Sequence, residues 1–316
     1  MQQGKVITRP AELHKETLHP SSGTKRRVPR FRQREAILAY LFVSPFILAF
    51  LLFQLGPDIY SFVLSFYHYK GYGTATPVGF SNYLAVLQYH VFWQELGNTI
   101  FYWLAHALPL IPLSFLLAML VRSKFIKGQS FWKPVIFLPQ VIATVASALV
   151  FQALFSTEYG IVNQLLHTKI HWLQDYALAR WAIIFLLIWR GLGFWFVVFL
   201  AGLSSIDPSL EEAAIVDGAT LWQRIRYVIV PLMSNVFLFA FVIDAIGSLR
   251  LFAEANVLVS GAGQADPSVA PMLNLLVGNL QNGEFGQSAA IGWILFVLTI
   301  LVAALQFSSF RASRNK

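Results

Sequence analysis

Two charged residues sit where charge is expensive. Arg190 stands nine residues into the apolar run Trp181 to Leu203, and Asp244 sixteen residues beyond Val228 in the run Val228 to Leu249. As membrane helices these runs would place Arg190 roughly 13 Å and Asp244 roughly 24 Å from their starting faces, at similar depth if the runs are antiparallel. A charge there costs several kcal/mol unless it is paired or hydrated. Either the two residues line a path for a polar solute, or they pair with each other and fix helix packing. Close to Arg190, Gly191 and Gly193 would admit another backbone, while Phe194 and Trp195 offer faces that could stack on a sugar ring or simply pack. His106, in a third apolar run, reads as a neutral histidine bonded to a neighbouring helix.

Other chemistry is missing from the pattern. The chain has no G-x-x-x-x-G-K-[ST] phosphate loop, no H-E-x-x-H and no G-x-S-x-G. With no cysteine, disulfides, thiolate zinc and iron–sulfur clusters are excluded. His167 and His171 have the i, i+4 spacing of a helical metal pair but lack an acidic third ligand nearby, so they read as a surface pair and no metal is expected.

The elements that must hold these residues follow from composition. Of 316 residues, 57% are hydrophobic and 12% charged, too apolar for a soluble domain. Six continuous runs are long enough to cross a bilayer as helices: Ile37 to Gly56, Thr99 to Val121, Val135 to Phe155, Trp181 to Leu203, Val228 to Leu249 and Ala289 to Phe307. The expected fold is all-α and polytopic. Lys and Arg concentrate in the N-terminal tail, in the second-to-third and fourth-to-fifth connections and in the C-terminal tail, so both termini are expected on the cytoplasmic side of the cell membrane. The net charge of +8 follows this topological pattern, and no nucleic-acid partner is expected. Residues 1–35 read as a disordered basic tail, 36–310 as the membrane domain and 311–316 as a second cytoplasmic tail. Pro139 and Pro231 interrupt the third and fifth runs and free backbone carbonyls.

One charged stretch separates the fourth and fifth runs. From Asp207 it reads "DPSLEEAAIVDGATLWQRIRYVIVPL". Asp207 or Ser209 can cap a helix whose first turn holds Glu211 and Glu212, and Gly218 can end it in a sharp turn. Ala213 and Ala214 leave this helix bare of bulk. It suits either a docking knob for a cytoplasmic partner or an amphipathic connector at the interface.

The stretch resembles a known family. The pattern E-A-A-x3-G-x9-I-x-L-P of the membrane subunits of binding-protein-dependent ABC importers is matched by Glu212, Ala213, Ala214, Gly218 and Pro231, with Val228 and Val230 at the Ile and Leu positions. "FLPQVIAT", "IWRGLGF", "LAGLSSIDPSLEEAA" and "SLRLFAEANVLVSGAG" are similar to the maltose and glycerol-phosphate type of carbohydrate permease, and the likeness spans Ala36 to Phe310. It departs in the outer loop, where the family's F-D and T-x-G-G-P become Phe252-Ala253 and "SGAG".

The resemblance implies the type I ABC importer permease fold, with a cytoplasmic coupling helix that seats in a separate ATPase. Glu211, Glu212, Ala213, Ala214, Asp217, Gly218, Ala219 and Pro231 would make the coupling segment. Gln140, Thr144, Arg190, Gly191, Phe194, Ser248 and Leu251 would line the solute path, to which the depth argument adds Asp244. The implied partners are a second six-helix permease, two ATP-binding-cassette subunits and an extracytoplasmic solute-binding protein meeting the loops Tyr67 to Asn98 and Ser260 to Ser288. ATP and Mg would belong to the partner ATPase, leaving this chain without a cofactor. A self-contained secondary transporter and a membrane-embedded enzyme are the competing classes, disfavoured by the scarcity of intramembrane carboxylates and of any catalytic constellation.

Overall fold

The computed structural model describes residues 30–123, 126–260 and 265–314, and the chain divides into two units, 1–57 and 58–316. In the first unit Arg30–Phe50 forms α1, and its ladder widens to π type at Leu51–Leu55. The helical stretch Leu38–Leu64 is long and apolar enough to cross a membrane.

The second unit is a helical bundle. After α2 (Gly56–Leu64) a two-residue hairpin, β1 (Tyr67–His68) with β2 (Thr76–Pro77), leads through α3 (Ser81–Gln88) into α4 (His90–Arg122). At 33 residues α4 is about 48 Å long and overruns the hydrocarbon thickness. It begins at His90, nine residues before the expected Thr99, because the outer connection is itself helical. The third span is α5 (Gln129–Val141) and α6 (Thr144–Leu154), set at 93° to each other. The helix runs through Pro139 and breaks at Ile142 and Ala143, so the interruption expected at Pro139 falls three residues later, as a bend between two helices.

A short α7 (Ile161–Leu166) precedes α8 (Tyr176–Ser204), whose start is set by Asp175 accepting the Ala177 and Leu178 N–H groups. Next come α9 (Pro208–Val216) and α10 (Leu221–Arg224), a π-type stretch at Ile225–Ile229, then α11 (Val230–Leu232) and α12 (Ser234–Leu249). The fifth span also bends, by 68° at Met233. Both π-type stretches end two residues before a proline, Pro57 and Pro231. A proline removes one N–H from the ladder, and a widened turn just upstream takes up the mismatch. The chain closes with α13 (Ala253–Ser260), α14 (Leu273–Gln281) and α15 (Phe285–Arg314). The "GAG" of the outer loop, residues 261–263, lies outside the described residues, as does most of the N-terminal tail.

Packing centres on α4 against α8. Leu110, Phe115, Phe196, Phe199 and Met233 form one buried cluster, and Tyr102, Phe151, Ile183 and Leu258 another nearer the start of α4. Gly193 sets the approach of α5, since a Cβ there would lie 2.7 Å from the Ile136 carbonyl oxygen. Gly191 faces α4, where a Cβ would lie 2.8 Å from a Leu110 methyl.

Candidate functional site

All eight expected path residues line one cavity of about 340 Å³: Gln140 and Thr144 at the bend of the third span, Arg190, Gly191 and Phe194 on α8, Asp244 and Ser248 on α12, and Leu251 just beyond it. His106, midway along α4, lines it too. Gln140 and Thr144 flank the 93° bend of the third span, and both line the cavity with residues of α8 and α12.

The charges in this cavity do not pair with each other, which was one of the two readings that their depth allowed. Arg190 donates from Nη1 to Glu254 Oε1 at 2.5 Å, both side chains largely buried. Asp244 instead accepts from Trp195 Nε1 at 3.3 Å and faces His106 Nε2 at 3.2 Å. His106 is oriented from its other nitrogen, which lies 2.6 Å from the Tyr102 carbonyl oxygen. The Ser248 hydroxyl donates to the Asp244 carbonyl one turn earlier. Depth along a helix was read correctly but azimuth was not: Arg190 points toward α13 and Asp244 toward α4. Glu254 was missed, although it is the one carboxylate between Asp244 and Asp266 in an apolar stretch.

After these pairings the cavity keeps a few unspent polar groups. Arg190 Nε is buried without a hydrogen-bond partner among the described residues. Arg250, exposed, lines the cavity beside Gln140, Thr144 and the half-exposed Phe194 ring. Trp195, expected as a stacking face, is 3% exposed and serves mainly to hold Asp244.

The segment from Asp207 is built by local bonds. Asp207 is the N-cap of α9, accepting the Ser209 N–H at 2.9 Å, and that bond holds its carboxyl below the usual carboxylate range. At the other end Gly218 takes the left-handed conformation, φ +77, and the Gly218 and Ala219 N–H groups close onto the Ile215 and Ala214 carbonyls. That is a Schellman stop, which needs a glycine. Thr220 then caps α10 in a reciprocal box with Gln223.

The residues expected to couple are displayed unevenly. Glu212, Ala213, Asp217, Gly218 and Pro231 are exposed, whereas Ala214 and Ala219 are half-buried. Glu211 is engaged within the chain, accepting from Arg122 Nη1 at 2.7 Å. Sequence reasoning passed over the large apolar groups here: Val216 is 86% and Trp222 71% exposed, beside Ile215 and Leu221. Their signal was their place on a charged segment, where an apolar side chain is not needed for spanning.

Two features therefore define the class: a cavity lined by charged and polar side chains midway along membrane-length helices, and a capped, apolar-faced segment bonded to the far end of one of them. That is a polytopic membrane transport protein. Residues 110–314 match the family of the binding-protein-dependent transport system inner membrane component, and the chain belongs to that family. It is 31% identical to an arabinooligosaccharides transport system permease protein of Bacillus subtilis, covering 84% of this chain and 86% of the relative. It is also 31% identical to a lactose transport system permease protein of Rhizobium radiobacter, covering 88% and 94%. A solved bacterial ABC transporter involved in import of the acidic polysaccharide alginate shares the fold, with TM-score 0.78 and 24% identity over 90% of this chain and 99% of that one. The chain is thus a membrane permease of an ABC importer, with the type I permease fold, and not a self-contained secondary transporter.

Proposed function

We propose that this chain forms one half of the translocation path for a sugar or oligosaccharide, and that the cavity around Arg190 and Asp244 contacts it in transit. The observation that supports this most is the convergence of the eight path residues on one cavity in the middle of the membrane span. Gln140, Thr144 and the Ser248 oxygen offer hydroxyl-sized hydrogen-bonding groups, Phe194 offers a ring face, and Arg190 Nε is a donor in want of an acceptor. The names of the relatives, arabinooligosaccharides and lactose among them, point to the same class of solute.

In this reading a second six-helix permease closes the path, and two ATPases carry ATP and Mg; this chain, lacking a phosphate loop, binds no nucleotide itself. Both tails lie in the cytoplasm and the protein resides in the cytoplasmic membrane, as the Lys and Arg distribution implies. An ATPase cleft receives Ile215, Val216, Leu221 and Trp222 around the Gly218 turn, together with Glu212, Ala213, Asp217 and the residues behind them. Its closure moves α9, and the Arg122–Glu211 bond carries that motion into α4, which reaches the cavity at His106.

The test is uptake of labelled oligosaccharides by proteoliposomes containing the complete importer and its binding protein. Transport requiring ATP inside and the binding protein outside is expected, and Phe194→Ala should slow it several-fold with basal ATP hydrolysis unchanged. Uptake indifferent to Phe194, Gln140 and Thr144 substitutions would remove the cavity from the path.

A further inference from the structure

The cavity that holds the path residues also carries an unbalanced charge. The titratable side chains in its wall are those of His106, Arg190, Asp244, Arg250 and Glu254. All but one of them cancel in pairs. Arg190 donates to Glu254, and with both side chains largely buried the pair neutralises itself inside the wall.

His106 and Asp244 cancel for a reason that lies in their hydrogen bonds. Nδ1 of His106 is 2.6 Å from the Tyr102 carbonyl oxygen, which can only accept, so Nδ1 carries a hydrogen. Nε2 faces both Asp244 oxygens, at 3.3 and 3.2 Å. Two acceptors do not sit so close in a buried site without a hydrogen between them, and a ring and carboxylate that share one carry no net charge. This pair too is largely withdrawn from the cavity, its side chains 7% and 8% exposed.

Arg250 has no such partner. It follows the last residue of α12, its backbone N–H closing onto the Gly247 carbonyl, and its side chain is exposed. Among the described residues that side chain makes no hydrogen bond and no ion pair. It is therefore not spent on the end carbonyls of its own helix, the ordinary use of an arginine there. The cavity is left with one uncompensated positive charge within reach of what enters. A charge of single sign in a cleft with low-dielectric walls gathers the opposite sign.

The rest of the wall narrows the class of anion. Gln140 and Thr144 offer hydrogen bonds to hydroxyls and Phe194 a ring face, groups that an inorganic anion would leave idle. A solute with an ammonium group would need a free carboxylate, and Asp244 and Glu254 are both taken. A sugar ring bearing a carboxylate uses all that is left, because a guanidinium forks onto a carboxylate through two parallel N–H bonds.

We propose that the solute is an acidic saccharide, an oligosaccharide bearing uronate carboxylates, and that Arg250 is the residue that selects it. The proposal rests on the importer reading above and assigns a charge to its solute.

The experiment uses proteoliposomes holding the complete importer, with its own binding protein outside and ATP inside. Separate mixtures are supplied: oligouronides from partial hydrolysis of uronic acid polymers, the same oligouronides methyl-esterified at their carboxylates, and neutral oligosaccharides of matching length. What accumulates is identified by mass spectrometry. Wild type should accumulate oligouronides in preference to their esters. Arg250→Gln should shrink that acid-to-ester ratio about tenfold, the scale of one charge-assisted bond. The binding protein is the same in both, so its own preference cancels. Arg250→Lys keeps the charge without the fork and should give an intermediate ratio, which serves if Arg250→Gln fails to assemble. A wild-type ratio in Arg250→Gln, or in Arg250→Lys where that variant alone assembles, would overturn the proposal even with total uptake lowered; an Arg250 paired to a partner subunit would give that result. Accumulation of neutral oligosaccharides alone would overturn it too, with the importer reading intact. A wild-type importer that accumulates nothing from any mixture would instead refute the saccharide reading itself.

Discussion

In the segment proposed to couple, every defining bond is short in sequence: Asp207 to Ser209, Thr220 to Gln223, and Gly218 back to Ile215. In the cavity the defining bonds join residues 138, 64 and 49 positions apart, namely His106 to Asp244, Arg190 to Glu254 and Trp195 to Asp244. The first region can hold its shape while the bundle around it moves, because nothing distant is needed to make it. The second exists only when α4, α8, α12 and α13 are together. On the proposed mechanism, the part that is pushed is thus self-contained, and the part that responds is distributed over several helices.

The largest effect should come from breaking a distributed pair. Arg190→Leu leaves Glu254 uncompensated in a largely buried position, a loss on the order of 3–5 kcal/mol. Thermal unfolding of the purified complex should show it, and adding Glu254→Leu should restore most of the lost stability. Adding Asp244→Leu should not, since Asp244 belongs to His106 and Trp195. Rescue by Asp244→Leu but not by Glu254→Leu would contradict the pairing described here.

That result bears on how the sequence could be read. The Asp207 cap, the Gly218 turn and the small residues around them are legible because capping depends on residue type within a few positions. The membrane-length runs are legible because hydrocarbon thickness fixes their length: four are single helices among the described residues, and two are bent pairs. Pairing inside the bundle is another matter: spacing along a helix gives depth, and depth alone matched Arg190 with Asp244. Which face each side chain occupies is settled by helix rotation and by the sharp bend after Pro139, and no local pattern encodes either. Seven of the path residues were proposed through family likeness and Asp244 through its depth; their meeting in one cavity needs helices far apart in sequence to pack together.

Next in size is the Gly218 turn. Gly218→Val forces a β-branched residue to φ +77, costing roughly 1–2 kcal/mol of local stability. A Cβ at this position meets nothing within 4 Å inside the chain, so any larger loss must arise against a partner. We expect ATP-driven uptake to fall at least tenfold, far beyond what that strain explains, with the complex still assembled. Uptake close to wild type would detach this turn from the ATPase.

The Arg122–Glu211 bond sharpens the comparison because it joins the self-contained segment to a distributed helix. Both side chains are about a quarter exposed, so Glu211→Gln should change thermal stability by no more than about 1 kcal/mol. Its expected signature is a lower number of solute molecules moved per ATP hydrolysed, at a normal hydrolysis rate. High salt should produce part of the same defect in the wild type and little further change in Glu211→Gln. An unchanged transport stoichiometry in Glu211→Gln would mean that α9 moves α4 by packing alone.

The smallest effect tests the local side by pH. Asp207 is fully exposed, yet its carboxyl is held below the ordinary 3.8 by the Ser209 N–H, which favours the charged form in the folded segment. The unfolded segment therefore binds more protons at acid pH. The cap's contribution is fully present above the ordinary carboxylate range and is lost as pH falls through the depressed value. Amide exchange at Ser209 and Leu210, corrected for its intrinsic pH dependence, should quicken across that acid window, while exchange in the middle of α8 stays constant. Asp207→Asn should keep the cap through its amide oxygen and abolish the pH response. If Asp207→Asn frays at every pH, the carboxylate charge contributes more to the start of α9 than the single hydrogen bond does.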